Sequence, residues 1–137
     1  MKASEIIRSK LIDAGGVTMV RTYNGKERQI ILSNDRKCFY CPQLIPYNFE
    51  IFDDIAALLL ESSGYRASKG SARSAKLGEP GCEEDTVAGR VLLYMGKKLG
   101  ESGLDPVFIL AAMMDWAGIA TNGRGYIGLT PDFVAQL

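Results

Sequence analysis

Residues 105–131, DPVFILAAMMDWAGIATNGRGYIGLTP, carry the most legible fold signal in the chain. Asp105-Pro106 is an N-cap followed by proline at the first helical position, where the missing N–H costs nothing. The pair predicts a helix through Ala117, and Gly118 supplies a left-handed stop. Ile119 to Thr121 and Tyr126 to Leu129 then read as two short strands around Asn122-Gly123-Arg124-Gly125, and Thr130-Pro131 ends the hairpin. Val107, Phe108, Ile109, Leu110, Met113, Met114 and Trp116 make the helix apolar, and it holds no basic residue. Such a helix belongs in a core or a subunit interface.

Working outward, Glu83, Glu84 and Asp85 put negative charge at a helix start, which the helix dipole favours. Val87, Val91, Leu92, Met95 and Leu99 mark the buried stripe of a helix running to about Lys98, and Gly100 to Leu104 breaks it. Tyr47 to Ser62 predicts another helix, with Asn48 as N-cap and Phe49, Phe52, Ile55, Ala56 and Leu59 as its core face. Between these helices, Gly64 to Gly81 is rich in Ser, Ala and Gly, and Leu77 is its only large aliphatic residue. It reads as an exposed, mobile loop or a weak helix. At the N-terminus, Ala3 to Ala14 predicts an amphipathic helix with Ile6, Ile7 and Leu11 inward, stopped by Gly15-Gly16. Val17 to Tyr23 and Arg28 to Leu32 are strand-forming runs around Asn24-Gly25, a hairpin turn signal because that dipeptide tolerates positive φ. Ser33 to Pro46 reads as a connector holding Cys38-Phe39-Tyr40-Cys41.

The order helix, turn, capped helix, then AGIATNGRGYIGLTP resembles the end of a winged-helix domain over about residues 84–131, with Tyr47 to Ser62 in the place of that family's first helix. The resemblance implies a paired helix that enters the DNA major groove, and a hairpin tip, here Asn122 and Arg124, that contacts the backbone or minor groove. The helix from Asp105 to Ala117 departs from that pattern, since reading base edges needs polar or basic side chains facing outward. The fold class expected is thus α+β, mainly helical, with a winged-helix-like C-terminal part and an N-terminal helix and β-hairpin. Two regions are expected: residues 1–45, and a core over 46–137 carrying a basic loop at 64–81.

Composition bounds the function. The chain has 137 residues, 47% of them hydrophobic, enough for one self-supporting core. It has no histidine, which excludes Ser-His-Asp and Cys-His nucleophile pairs, HExxH zinc sites and Cys2His2 fingers. Sixteen basic and sixteen acidic residues cancel, removing the case for a general polyanion binder but not for a local patch. Residues 1–12 are interrupted by Glu5, Arg8 and Lys10, and no stretch has the length of a signal peptide or membrane span. With three cysteines, an odd number, the expectation is a cytoplasmic protein with reduced thiols and no membrane partner.

The local patch is Arg66, Lys69, Arg73 and Lys76, spaced three, four and three apart. On a helix all four share one face, with Ser68, Ser71 and Ser74 adding hydroxyls, a set suited to phosphate contacts. Cys38, Cys41 and Cys82 offer three zinc thiolates with no fourth cysteine or histidine, so buried, inert thiols are the expected role. The acidic groups Glu83-Glu84-Asp85, Asp53-Asp54 and Glu101 to Asp105 are explained by helix starts and solvated faces, and no glycine-rich phosphate loop occurs. The reading is a non-enzymatic binding module without cofactor, contacting nucleic acid or an anionic ligand through Arg66, Lys69, Arg73, Lys76, Asn122 and Arg124. Self-association through the apolar helix near Trp116 goes with it. The alternatives are a small enzyme or sensor for a phosphorylated ligand, with Tyr65 or an acidic residue as catalyst, and a structural subunit.

Overall fold

The computed structural model of the chain describes residues 1–42, 44–73 and 75–137. Helix α1 (Ala3–Asp13) buries Ala3, Ile7 and Leu11, a four-residue spacing that puts one stripe inward. Its buried Ser4 donates through backbone N–H to Asp53 Oδ1 at 2.9 Å and through Oγ to Asp53 Oδ2 at 2.6 Å. Asp53, expected on a solvated face, therefore clamps the start of α1. A hairpin follows, β1 (Val17–Arg21) with β2 (Glu27–Leu32), its turn closed by Thr22 N–H to Lys26 C=O with Gly25 at φ +84°. The meander continues into β3 (Cys38–Tyr40) and β4 (Tyr47–Asn48), an antiparallel sheet in the order β1-β2-β3-β4.

The predicted connector at 33–46 thus contains a strand, and the helix predicted from Tyr47 begins later. Asn48 is not its cap. Its backbone pairs with Cys38, and its Oδ1 accepts from Cys38 Sγ at 2.9 Å, so its side chain serves the sheet. Helix α2 is Ile51–Glu61, burying Ile51, Phe52, Ile55, Ala56, Leu58 and Leu59. Phe39, Tyr47, Phe49 and Phe52 meet between sheet and helix, with Phe39 ring centroids 5.2 Å from those of both Phe49 and Phe52.

After α2 comes a 3-10 turn, Ser63–Tyr65, and then β5 (Arg66–Ser68), a strand in the segment predicted to be loop or helix. Helix α3 is Val87–Tyr94. Thr86, rather than the upstream acidic run, caps it: Thr86 Oγ1 accepts from Gly89 N–H at 3.0 Å. It ends before Lys98 because Met95 closes the last turn and Gly96 takes φ +83°. Helix α4 (Val107–Trp116) leads through Gly118 (φ +75°) into β6 (Ala120–Asn122) and β7 (Tyr126–Leu129), then α5 (Pro131–Ala135) capped by Thr130. The second sheet has the order β5-β7-β6, antiparallel throughout.

The expected class, mainly helical with a winged-helix-like C-terminal part, is corrected. The described residues are 36% helix and 19% strand, forming five helices and two antiparallel sheets, an α+β fold in which sheets are structural partners rather than appendages. The added strands come from β3, β4 and β5, three short segments of two or three residues whose partners lie elsewhere in the chain. Val107, Ile109, Leu110, Ala111, Ala112, Met113 and Met114 of α4 are buried in a core cluster that draws on both the 1–45 and the 46–137 parts. No helix among the described residues is long and apolar enough to cross a membrane.

Among its described residues, the 69–86 segment is fastened to the body by backbone hydrogen bonds, though Arg73, Lys76 and residues 78–81 stay exposed. Lys69 C=O accepts from Ala88 N–H, Ser71 N–H donates to Gly81 C=O, and Leu77 exchanges backbone hydrogen bonds with Gly100 and Glu101. Leu77 is 1% exposed and Cys82 fully buried, so one aliphatic side chain anchors a glycine-rich stretch. Asp105 fastens it from the other side, its carboxylate accepting from the backbone N–H of Ala72 and, at 3.5 Å, of Val107. Burial pushes the Asp105 carboxyl above its ordinary value, against the opposing pull of the Ala72 and Val107 hydrogen bonds and the Arg73 charge.

Two outcomes follow from these anchors. Leu77→Ala is expected to cost about 2–5 kcal/mol in chemical denaturation, and a loss under about 0.5 kcal/mol would mean that the loop is not anchored there. For Asp105 the folded pKa lies above the unfolded one, so folding takes up a proton in the window between them. The contribution is most favourable below the unfolded pKa and declines as pH rises through the folded value. Asp105→Asn lacks this decline, so its stability relative to wild type should climb across that window and then level off; a pH-independent difference would contradict the assignment.

Candidate anion-binding surface

The predicted basic residues do not share a helix face, because the segment that carries them enters the second sheet. β5 pairs with β7 in the register Arg66↔Gly128, Ala67↔Ile127 and Ser68↔Tyr126. Strand alternation sends Ala67 and Ile127 into the core and leaves Arg66 and Ser68 exposed. Arg66 lies diagonally across from Tyr126, with its guanidinium carbon 3.7 Å from the ring centroid. Two glycines make room for this stack. A Cβ at Gly123 would stand 2.2 Å from Tyr126 Cζ, and one at Gly128 would press within 3.4 Å of Arg66 Cβ.

Lys69 follows β5 directly, and its backbone N–H donates to Gly125 C=O at 2.9 Å, which ties it to the β6–β7 turn. Its Nζ lies 5.0 Å from the ring centroid of Tyr23, in the turn of the β1–β2 hairpin. Lys69 thus bridges two hairpin tips, and partial burial lowers its pKa. Arg124 is exposed at the β6–β7 tip. Among the described residues, the ion pairs are Arg21–Glu27 and Arg90 with Asp54 and Glu61, so Arg66, Lys69 and Arg124 have no carboxylate partner.

The remaining predicted site residues lie apart from this cluster. Arg73 sits where its charge acts on Asp105, and the Lys76 backbone donates to Glu79 Oε1 at 2.6 Å farther along the loop. Ser71 Oγ accepts from Arg73 N–H within the loop, and Ser74 lies outside the described residues. Asn122 is half-buried; its backbone N–H donates to Asp115 Oδ2 at 2.9 Å and its Oδ1 is buried with no hydrogen-bond partner among the described residues. Sequence reasoning missed Tyr23 and Tyr126. The glycines flanking Tyr126 in NGRGYIG were the available signal, since a bulky ring among glycines has room to lie flat on the strand surface.

An open groove of about 770 Å³ runs along one side of Arg66, and its exposed carboxylates Glu61, Glu83 and Asp85 repel a phosphate there. Two hydroxyls on that groove are engaged, Ser62 Oγ donating to Leu58 C=O and Thr86 Oγ1 to Glu83 C=O, while Ser63 and Ser68 also line it. A second groove of about 740 Å³, between α2 and α3, has two of its carboxylates engaged, Asp54 with Arg90 at 3.1 Å and Asp53 with Ser4, and Glu50 also lines it.

The cysteines do not converge on a metal. Cys38 bonds Asn48 in the first sheet, Cys41 is buried, and Cys82 is buried in the 69–86 loop near Asp105. Burial raises the Cys41 and Cys82 pKa values, with nearby carboxylates adding to the effect at Cys82, so both thiols stay protonated at neutral pH. Among the described residues, no group of three or more Cys, Asp or Glu side chains is arranged to hold a metal ion. Comparison with family models, with curated proteins and with solved structures gave no match.

Proposed function

We propose that this chain is a non-enzymatic binding module that contacts the phosphates of a nucleic acid through Arg66, Lys69 and Arg124. The observation that carries the reading is the β5–β7 pairing, which gathers cations from two distant stretches of sequence at one hairpin tip, none of them ion-paired among the described residues. Unpaired cations on a rigid strand edge form charge-assisted hydrogen bonds to phosphate with little ordering cost. Arg73 and Lys76 fall in the loop beyond β5, outside the β5–β7 pairing, and Arg73 has its charge near Asp105.

Self-association through α4 draws on little surface. Most of its apolar side chains are buried in this chain's own core, Phe108 being the large one left exposed, and Trp116 is covered by Lys10, whose Nζ lies 4.7 Å from the ring centroid. A structural-subunit role therefore ranks below binding. A phosphorylated small ligand would use the same three cations and is separated from nucleic acid by experiment.

The experiment is fluorescence anisotropy with labelled random-sequence nucleic acid at low and moderate salt. Wild type should bind with a logarithmic salt slope of about two to three, close to one per phosphate contacted. The variant Arg66→Ser/Lys69→Ser/Arg124→Ser should lose that slope, while Arg73→Ser/Lys76→Ser should keep most of it. Equal loss in both variants would return the site to the whole basic segment. No binding, combined with thermal stabilisation by phosphorylated metabolites, would move the assignment to a small-ligand sensor.

A further inference from the structure

We infer that the nucleic acid is single-stranded, and that one of its bases stacks on the outer face of the Arg66 guanidinium; this rests on the phosphate-contact reading above. The guanidinium carbon lies 3.7 Å from the Tyr126 ring centroid. At that distance the group lies over the ring and close to parallel with it, because tipping it edge-on would drive a nitrogen inside van der Waals contact. One face of the guanidinium is therefore covered by Tyr126, and Tyr126 in turn lies against the Gly123 backbone. Arg66 is exposed and lines an open groove, so a ligand can reach its guanidinium. The result is a preordered plane, Gly123–Tyr126–Arg66, whose next layer is a flat ring of the ligand.

Two further exposed tyrosines adjoin cations of this surface. Tyr23, 51% exposed, sits under the Lys69 ammonium, and Tyr65, 44% exposed, directly precedes Arg66. Tyr65 is held at φ +57°, a conformation a tyrosine adopts only when its surroundings impose it. Cations interleaved with exposed aromatic faces are the means by which proteins hold single strands, the cations tracking the backbone and the rings receiving bases. Duplex nucleic acid presents phosphates but keeps its base faces stacked, so it leaves these planes unused. The element that would enter a duplex groove is also missing: α4 is buried and carries no basic residue.

The test compares a labelled single-stranded 12-nucleotide oligopyrimidine, the same strand in duplex form, and a single strand with abasic sites. Deoxyribose and ribose versions of the strand separate DNA from RNA as the source. Wild type should bind the single strand about 5- to 100-fold more tightly than the abasic strand, and more tightly than the duplex. Arg66→Lys keeps the charge and removes the plane; it should lose most of that factor on the normal strand, with an unchanged salt slope, and lose little on the abasic strand. Tyr126→Leu, which leaves Arg66 without support, should behave likewise, with circular dichroism verifying that both variants fold. Equal affinity for normal and abasic strands, or an Arg66→Lys variant indistinguishable from wild type, would overturn the stacking while leaving phosphate contact intact. No binding to any probe at low salt would remove both.

Discussion

Three backbone pairs between Arg66–Ser68 and Tyr126–Gly128 hold the candidate surface together, and most of what distinguishes this chain depends on them. β5 is a three-residue strand, too short to persist without partners. It is kept in place from both sides: Ala67 is buried beneath it, and Lys69 continues the pairing through its bond to Gly125 while accepting from Ala88. The first bond reaches the β6–β7 turn and the second reaches the start of α3. The strand therefore couples the hairpin to the helical layer, and the orientation of Arg66 follows from it.

The long 69–86 segment shows how an apparently unstructured composition can be ordered. It has few side chains able to enter a core, so its order comes from hydrogen bonds and a few anchors. Leu77, Ala72 and Cys82 supply the burial, and Asp105 supplies acceptors for backbone N–H groups that would otherwise need water. Gly89 completes the arrangement. A Cβ there would come within 1.9 Å of Glu83 C=O, so only glycine lets the capping turn at Thr86 close against α3.

The helices and hairpins with local signals were legible in the sequence. Asn24-Gly25 marked a real turn, Gly118 a real helix stop, and the apolar run of α4 a buried helix. What sequence reasoning lost were very short strands. β3 and β4 span three and two residues, too few to show alternation, and β5 pairs with a strand some sixty residues away, so no local periodicity could reveal them. The same cause governed the site. A spacing of three, four and three suggested a helical face for Arg66, Lys69, Arg73 and Lys76, but a strand places Arg66 beside Tyr126, and Arg73 and Lys76 fall in the loop beyond it, Arg73 with its charge near Asp105. The residue types were visible in the sequence; which of them meet was a matter of tertiary pairing.

Charge alone would serve this surface poorly. The chain carries sixteen cations and sixteen anions, so it has little long-range field with which to concentrate a polyanion. The three proposed phosphate contacts would be screened substantially at physiological ionic strength, where the Debye length is about 8 Å. Glu61, Glu83 and Asp85 on the neighbouring groove reduce the attraction further. A surface with these electrostatics needs a short-range contribution that salt does not weaken, and flat stacking on a guanidinium already fixed by Tyr126 is such a contribution. The guanidinium's order is set in the folded chain, through Gly123, Gly128 and the strand register, before any ligand arrives. On this view the glycines of the β6–β7 hairpin are there to build a plane, and the carboxylates on the groove beside it steer phosphate toward the hairpin-tip side of that plane.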